Sequence, residues 1–84
     1  MGKFFIHQSA EVSGNVKIGG GSKIWHQSQI RENSVIGKNC VIGKGVYIDH
    51  GVIIGNNVKI QNYVSVYNGV IVEDDVLLDP NCTF

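Results

Sequence analysis

Isoleucine, valine or leucine stands at every sixth residue of this chain. The series runs Ile6, Val12, Ile18, Ile24, Ile30, Ile36, Ile42, Ile48, Ile54, Ile60, Val66, Val72, Leu78, with Phe84 in the next place. A second series precedes it by two residues: Ala10, Val16, Ser22, Ser28, Ser34, Cys40, Val46, Val52, Val58, Val64, Val70, Val76, Cys82. All its members are small or β-branched, and no insertion shifts the phase. A short fixed period marks a solenoid, and a period of six marks a parallel β-helix.

Strand alternation turns residues i−2 and i of each hexad inward and i−1 and i+1 outward. Positions i+2 and i+3 then form a corner. The i+3 place is mostly Asn, Gly or Asp (Asn15, Gly21, Asn33, Asn39, Gly45, Gly51, Asn57, Gly69, Asp75, Asn81), residues that tolerate a left-handed backbone. None of the seven basic and seven acidic residues falls on an inward position, as the cost of burying charge requires. Three strands and three corners close one coil, so the 84 residues are expected to form one all-β domain, residues 1–84, shaped as a triangular prism. Face A is centred on Ile6, Ile24, Ile42, Ile60 and Leu78. Face B is centred on Val12, Ile30, Ile48, Val66 and Phe84, and face C on Ile18, Ile36, Ile54 and Val72.

Basic and acidic residues cancel, so no charge excess points to nucleic acid or an anionic membrane. The apolar run at Phe4-Phe5-Ile6 is too short for a signal peptide or a membrane span. Gly2 lacks the Ser or Thr that myristoylation wants where Ile6 stands. A cytoplasmic protein is the expectation. Cys40 and Cys82 belong to the inward series, coils apart, with coils spaced about 4.8 Å. They are expected to be buried reduced thiols out of disulfide reach.

The outward positions of face C carry Val35, Ile53 and Ile71 in one column beside Gly37 and Gly55. An exposed apolar ladder marks a partner surface; a covering segment of the same chain is the alternative. Each buried aliphatic contributes about 1.5–3 kcal/mol while ordering costs about 1–2 kcal/mol per residue. A short solenoid is therefore marginal alone, and these three residues are expected at an oligomer interface. Face B presents Glu11, Ser13, Gln29, Arg31, Tyr47, Asp49, Ser65 and Tyr67. The tyrosines, with Arg31 and Asp49, could stack on and hydrogen-bond a sugar or base; an ordinary solvated face with cross-strand pairs is the other reading. His7, His26 and His50 fall on different coils and are not expected to converge within one subunit, so no metal is expected. As a corner group, His26 or His50 suits proton transfer near neutrality.

The hexads resemble those of hexapeptide-repeat acyltransferases, and that resemblance implies a left-handed β-helix, against the usual right-handed crossover. The stretch Gly21-Ser22-Lys23-Ile24-Trp25-His26 resembles nucleotide-sugar N-acetyltransferases that act on a 3-amino group of a UDP- or dTDP-linked sugar. So does Ile54-Gly55-Asn56-Asn57-Val58-Lys59-Ile60-Gln61-Asn62-Tyr63-Val64-Ser65-Val66-Tyr67, continuing through Gly69-Val70 to Glu73-Asp74-Asp75-Val76. The Ile-Trp-His, Ile-Gln-Asn and Val-Tyr-x-Gly-Val elements are not demanded by the hexads. The resemblance implies a cytoplasmic trimer that uses acetyl-CoA, with His26 and Asn62 as candidate catalytic residues. The candidates for binding a nucleotide sugar are Trp25, His26, Asn62 and Tyr67 from the matching elements, with Arg31 from the reading of face B. Family members often carry a second His where Gln29 stands. Their sequences also run on past Phe84, with a Thr-Asn pair and further coils that form much of the CoA groove. The chain is thus expected to match the N-terminal half of such an enzyme and to have little activity alone. Two other functions compete: a non-catalytic assembly module, and a carbonic-anhydrase-like zinc enzyme, whose His-x4-His spacing is absent. An ice-binding solenoid would need a ladder of Thr, and only Thr83 occurs.

Overall fold

A computed structural model describes residues 3–79. It contains thirteen two-residue strands among those residues, each formed by positions i−1 and i of a hexad. Face A is built from β1 (Phe5–Ile6), β4 (Lys23–Ile24), β7 (Val41–Ile42), β10 (Lys59–Ile60) and β13 (Leu77–Leu78), in that order. Face B stacks β2 (Glu11–Val12), β5 (Gln29–Ile30), β8 (Tyr47–Ile48) and β11 (Ser65–Val66). Face C stacks β3 (Lys17–Ile18), β6 (Val35–Ile36), β9 (Ile53–Ile54) and β12 (Ile71–Val72). Every pairing is parallel and joins a residue to its equivalent one coil on, Phe5 to Lys23 and Ile24 to Ile42 among them. Three sheets around one axis are the expected triangular prism.

The inward series is the core from the second coil on; in the first coil Ile6, expected inside, is 36% exposed and Ala10, Val12, Val16 and Ile18 are partly buried, because no described coil covers them. Ile24, Ile42 and Ile48 are fully buried, and Ile30, Ile36, Ile54 and Ile60 are within 1% of it. The buried polar residues among those described are Ser22, Ser28 and Ser34. Their hydroxyls donate to the carbonyls of Gly37, Gly43 and Asp49 at 2.6–2.8 Å, which removes the penalty for burying them. Cys40 is buried with its Sγ 3.0 Å from the carbonyl of Gly55; Cys82 lies outside the described residues, as do Asn81 and Phe84.

The corners explain themselves through one hydrogen bond. From the third coil on, most i+3 N–H groups donate to the i+2 carbonyl of the coil before. Gly45 donates to His26, Gly51 to Glu32, Asn57 to Lys38 and Tyr63 to Lys44, at 2.8–3.1 Å. A left-handed φ rotates the N–H into that direction. Asn33, Asn39, Asn57, Asp75 and four glycines adopt it, but so do Gln27 (φ 57°) and Tyr63 (φ 64°), which composition did not mark as corner residues. Asn15, expected to be left-handed, is not among the positive-φ residues. It has no preceding described coil to donate to; Val16 instead donates back to Ser13 in a local turn. No helix among the described residues is long and apolar enough to cross a membrane.

Candidate active site

Along the B-side edge of face A, three columns of outward residues run side by side. The strand column carries Val41 and Lys59. The corner column carries His26, Lys44 and Asn62. Between them lies the i+1 column: His7, Trp25, Gly43, Gln61. The missing side chain at Gly43 leaves a notch between Trp25 and Gln61. The result is a groove of 380 Å³ lined by Trp25, His26, Val41, Gly43, Lys44, Lys59, Ile60, Gln61 and Asn62. Nothing larger than glycine fits the floor: a Cβ there would stand 2.6 Å from Asn62 Oδ1 and 2.9 Å from the carbonyl oxygen of Ile60.

The floor is closed to hydrogen bonding through its backbone. Gly43 donates its N–H to Ile60 at 2.8 Å, and its carbonyl accepts the Ser28 hydroxyl at 2.6 Å. The N–H of Lys44 is held by Asn62 Oδ1 at 2.9 Å. Asn56 does the same for Lys38, and Asp74 for Asn56. The carboxamide oxygen of Asn62 is therefore part of the corner ladder, and that bond assigns its orientation. What Asn62 can offer a ligand is its Nδ2 donors.

Aromatic residues of the first coil prop the upper wall. Phe5 packs against Trp25 with ring centroids 5.3 Å apart. The rings of His7 and His26 lie 3.8 Å apart, and Trp25 stacks toward His26 at 6.2 Å with an interplanar angle of 16°. His7 is itself fixed: its Nδ1 accepts the Ser9 N–H at 3.1 Å and lies 2.9 Å from Ser9 Oγ. That hydroxyl oxygen also accepts the N–H of Gln27 at 2.9 Å. The three histidines were expected to stay apart. His50 does, at the B/C corner, but His7 and His26 meet. The spacing places His7 one coil before Trp25 at the same edge, but not its diagonal contact with His26. Phe5 and His7 were missed as site residues for want of that step. A second hollow, of 430 Å³, opens on this pair and is lined by His7, Ser9, His26, Gln27 and Lys44. Among the described residues no group of three His, Cys, Asp or Glu is placed to hold a metal ion.

Trp25 and His26, neighbours in the second coil, and Asn62, two coils on, thus line one groove. Arg31 and Tyr67 stand elsewhere, on face B, two coils apart with Asp49 between them. Arg31 is held within the chain: its Nε lies 3.1 Å from Glu32 Oε1, and its Nη1 donates to the Tyr47 hydroxyl at 3.2 Å. These bonds, Tyr47 first and then Glu32, hold the guanidinium pKa above its usual value. The Glu32 carboxylate is held below its usual range by its own backbone N–H and then by Arg31. Tyr47 leads on to Asp49, whose Oδ1 accepts the His50 N–H at 2.8 Å and lies 3.0 Å from His50 Nδ1. The backbone bond first, then the ring, lowers the Asp49 pKa. Face B therefore carries a self-satisfied ladder, consistent with the solvated-face reading for Arg31. Val35, Ile53 and Ile71 lie on face C and are 37%, 46% and 67% exposed in the single chain.

Residues 15–50, 33–68 and 51–84 each match the bacterial transferase hexapeptide (six repeats) family. The chain belongs to the bacterial transferase hexapeptide family. Its fold is accordingly the left-handed parallel β-helix. Among solved structures, it is similar to a single-residue variant of GDP-perosamine N-acetyltransferase from Caulobacter crescentus in complex with CoA and GDP-perosamine. The TM-score is 0.60 at 23% identity, over 86% of this chain and 43% of that one. PerB from the same organism, in complex with CoA and GDP-perosamine, gives a TM-score of 0.51 at 23% identity, over 86% and 44% of the two chains. At this identity the likeness concerns the fold, and the hexapeptide chain spans less than half the length of these neighbours. No curated protein matches it by sequence.

Proposed function

We propose that the groove beside Gly43 belongs to an acetyltransferase site, one that moves an acetyl group from acetyl-CoA to an amine on a nucleotide-linked sugar. The observation that carries this is the meeting of Trp25, His26 and Asn62 in one groove. The hexapeptide transferase family supports it, and the bound CoA and GDP-perosamine of the solved neighbours agree with it. The sugar amine would attack the thioester carbonyl, forming the C–N bond. The tetrahedral intermediate would then collapse with loss of CoA as the thiolate, and the proton shed by the amine nitrogen must be taken up and passed to that sulfur. His26, exposed at the rim, is the group suited to take it. The oxyanion needs a donor. The N–H groups of Gly43 and Lys44 are committed, which leaves the side chains of Lys44, Lys59, Gln61 and Asn62 (through Nδ2) among the candidate donors. Trp25 gives a flat wall on which a sugar ring can pack.

The same proposal includes a cytoplasmic trimer, associated through the Val35–Ile53–Ile71 ladder, with the described coils as one domain of the enzyme. The test is a mass-spectrometric assay of sugar N-acetylation with acetyl-CoA and amino sugars linked to GDP, UDP or dTDP. Product is expected to form well below about 1 s⁻¹, the lower end of ordinary turnover, and to fall further in His26→Ala. Product formation that is indifferent to His26→Ala, or none with any of the three sugars, would overturn the assignment.

A further inference from the structure

An asparagine side chain can be attacked by the amide nitrogen of the residue that follows it, provided both groups are free to meet. At most corners of this prism the bonds between coils remove one or both. Asn56 Oδ1 accepts the Lys38 N–H at 2.8 Å, and Asn62 Oδ1 accepts that of Lys44 at 2.9 Å. The nitrogens that follow, those of Asn57 and Tyr63, donate to the carbonyls of Lys38 and Lys44. Asn15 Nδ2 donates to Asn33 Oδ1 at 2.6 Å, and Asn15 Oδ1 accepts the Asn33 N–H. After Asn39, the Cys40 N–H is held by Ser22 Oγ at 3.0 Å. Asn57 precedes Val58, which is buried and β-branched and so shields its own nitrogen.

Asn68-Gly69 differs on each count. It is the one Asn-Gly pair of the sequence. It forms the B/C corner of the fourth coil, with both residues exposed. By the pattern of Asn56 and Asn62, Asn68 would cap the His50 N–H one coil before, but Asp49 Oδ1 already takes that group at 2.8 Å. The corner closes locally instead, through the Val70 N–H on the Tyr67 carbonyl at 3.3 Å. Among the described residues, neither the Asn68 carboxamide nor the Gly69 N–H has a hydrogen-bond partner. Gly69 has a φ of 76°, and beyond its chain neighbours nothing lies within 4 Å of the place a Cβ would take. Its nitrogen is thus open to an electrophile.

We infer that Asn68-Gly69 is a site of spontaneous covalent conversion in the folded protein, with water as the co-reactant. The Gly69 nitrogen gives up its proton and bonds to Asn68 Cγ. The Cγ–Nδ2 bond breaks, and Nδ2 leaves with that proton as ammonia. Water then opens the cyclic imide. Opening at Cγ leaves aspartate. Opening at the main-chain carbonyl leaves isoaspartate, in which the main chain runs through the side-chain carbon. Both products carry a new carboxylate, and isoaspartate also adds a methylene to the main chain. The place of that addition matters. β12 begins two residues after Gly69, with Ile71 paired to Ile53 and Val72 to Ile54, and an unbroken phase keeps these pairs in register. The conversion therefore acts on the strand that carries Ile71, the most exposed member of the face C ladder.

The experiment follows the whole chain, folded and in urea, at neutral and mildly alkaline pH in water enriched in heavy oxygen. Peptide mapping by mass spectrometry reads which asparagine is converted. An isoaspartyl-specific methyltransferase with a labelled methyl donor reads isoaspartate. In the folded chain Asn68 is expected to convert several-fold ahead of every other asparagine, with heavy oxygen in the product and faster at alkaline pH. Asn56 and Asn62 should gain on it only in urea. Gly69→Asn keeps a residue that takes a left-handed φ, as Asn57 does, and should slow the loss of the Asn68 amide several-fold. The isoaspartyl fraction, separated by ion exchange, should unfold at a lower urea concentration than the unmodified chain. Conversion of Asn68 only in urea, another asparagine converting first, or an unchanged rate in Gly69→Asn would overturn the site. Aspartate without isoaspartate would overturn ring closure by the Gly69 nitrogen. An unchanged urea midpoint in the isoaspartyl fraction would overturn the effect on the coil.

Discussion

Gly43 does more for the site than its lack of a side chain suggests in the sequence. There it is one outward glycine among several, and the motifs direct attention to Trp25, His26 and Asn62. In the fold it is the gap in a column of side chains, and the groove exists because of it. Gly43→Ala should place a methyl against the backbone of Ile60 and Asn62, which cannot move away, and destabilise the chain by about 1–3 kcal/mol. Urea denaturation measures this, and an unchanged midpoint would contradict the tight floor. Gln27 shows a different kind of residue effect. Its left-handed φ carries a Cβ penalty of about 1–2 kcal/mol, which Asn bears more easily. Gln27→Asn should therefore raise stability by about 0.5–1 kcal/mol, while a loss would mean that the Gln side chain holds the corner. The three motif residues were legible because their identities exceed what hexads require. The role of Asn62 was not: its oxygen serves the Lys44 N–H, and only the corner geometry shows that.

At the scale of elements, the strand positions and the coil register follow from the period of six alone, since i−1 and i pair with the same places one coil on; burial follows it from the second coil onward, while Ile6 in the first stays exposed. What the period does not encode is diagonal contact. Phe5 and His7 reach Trp25 and His26 in the next coil, and Arg31 reaches Tyr47, through side-chain length and corner direction. The face B ladder built this way should respond to pH. Asp49 and Glu32 have folded pKa values below their unfolded ones. Each therefore adds stability that is present above the unfolded value, near about pH 4, and lost as pH falls through the folded one. Melting temperature should drop on acidification through that window, and Asp49→Asn should flatten the drop. An identical pH profile in the variant would show that the His50–Asp49 bonds contribute nothing.

For the whole molecule, the apolar ladder lies on face C and the Gly43 groove on the opposite edge, and the proposal assigns association to the first and ligands to the second. The ladder could be read directly from the outward residues. The groove could be read only in part: the register places Lys44 and Lys59 at the A/B edge, but the hollow opened at Gly43 depends on the side chains of three coils together. Ile53→Lys would put an unpaired charge in the proposed interface, at a cost of several kcal/mol. Ile53 is already 46% exposed in the single chain, so the variant should fold but sediment as a smaller species; unchanged sedimentation would move the interface elsewhere. The central claim is that the Gly43 groove holds the substrates of acetyl transfer, and the chain contains a built-in reporter for it. Trp25 is its one tryptophan and forms a wall of that groove. Titrating acetyl-CoA, then a nucleotide-linked amino sugar, while following tryptophan emission should give a saturable change with at least one of them, and the change should be lost in Lys44→Gln/Lys59→Gln. Emission that neither substrate alters would contradict the account.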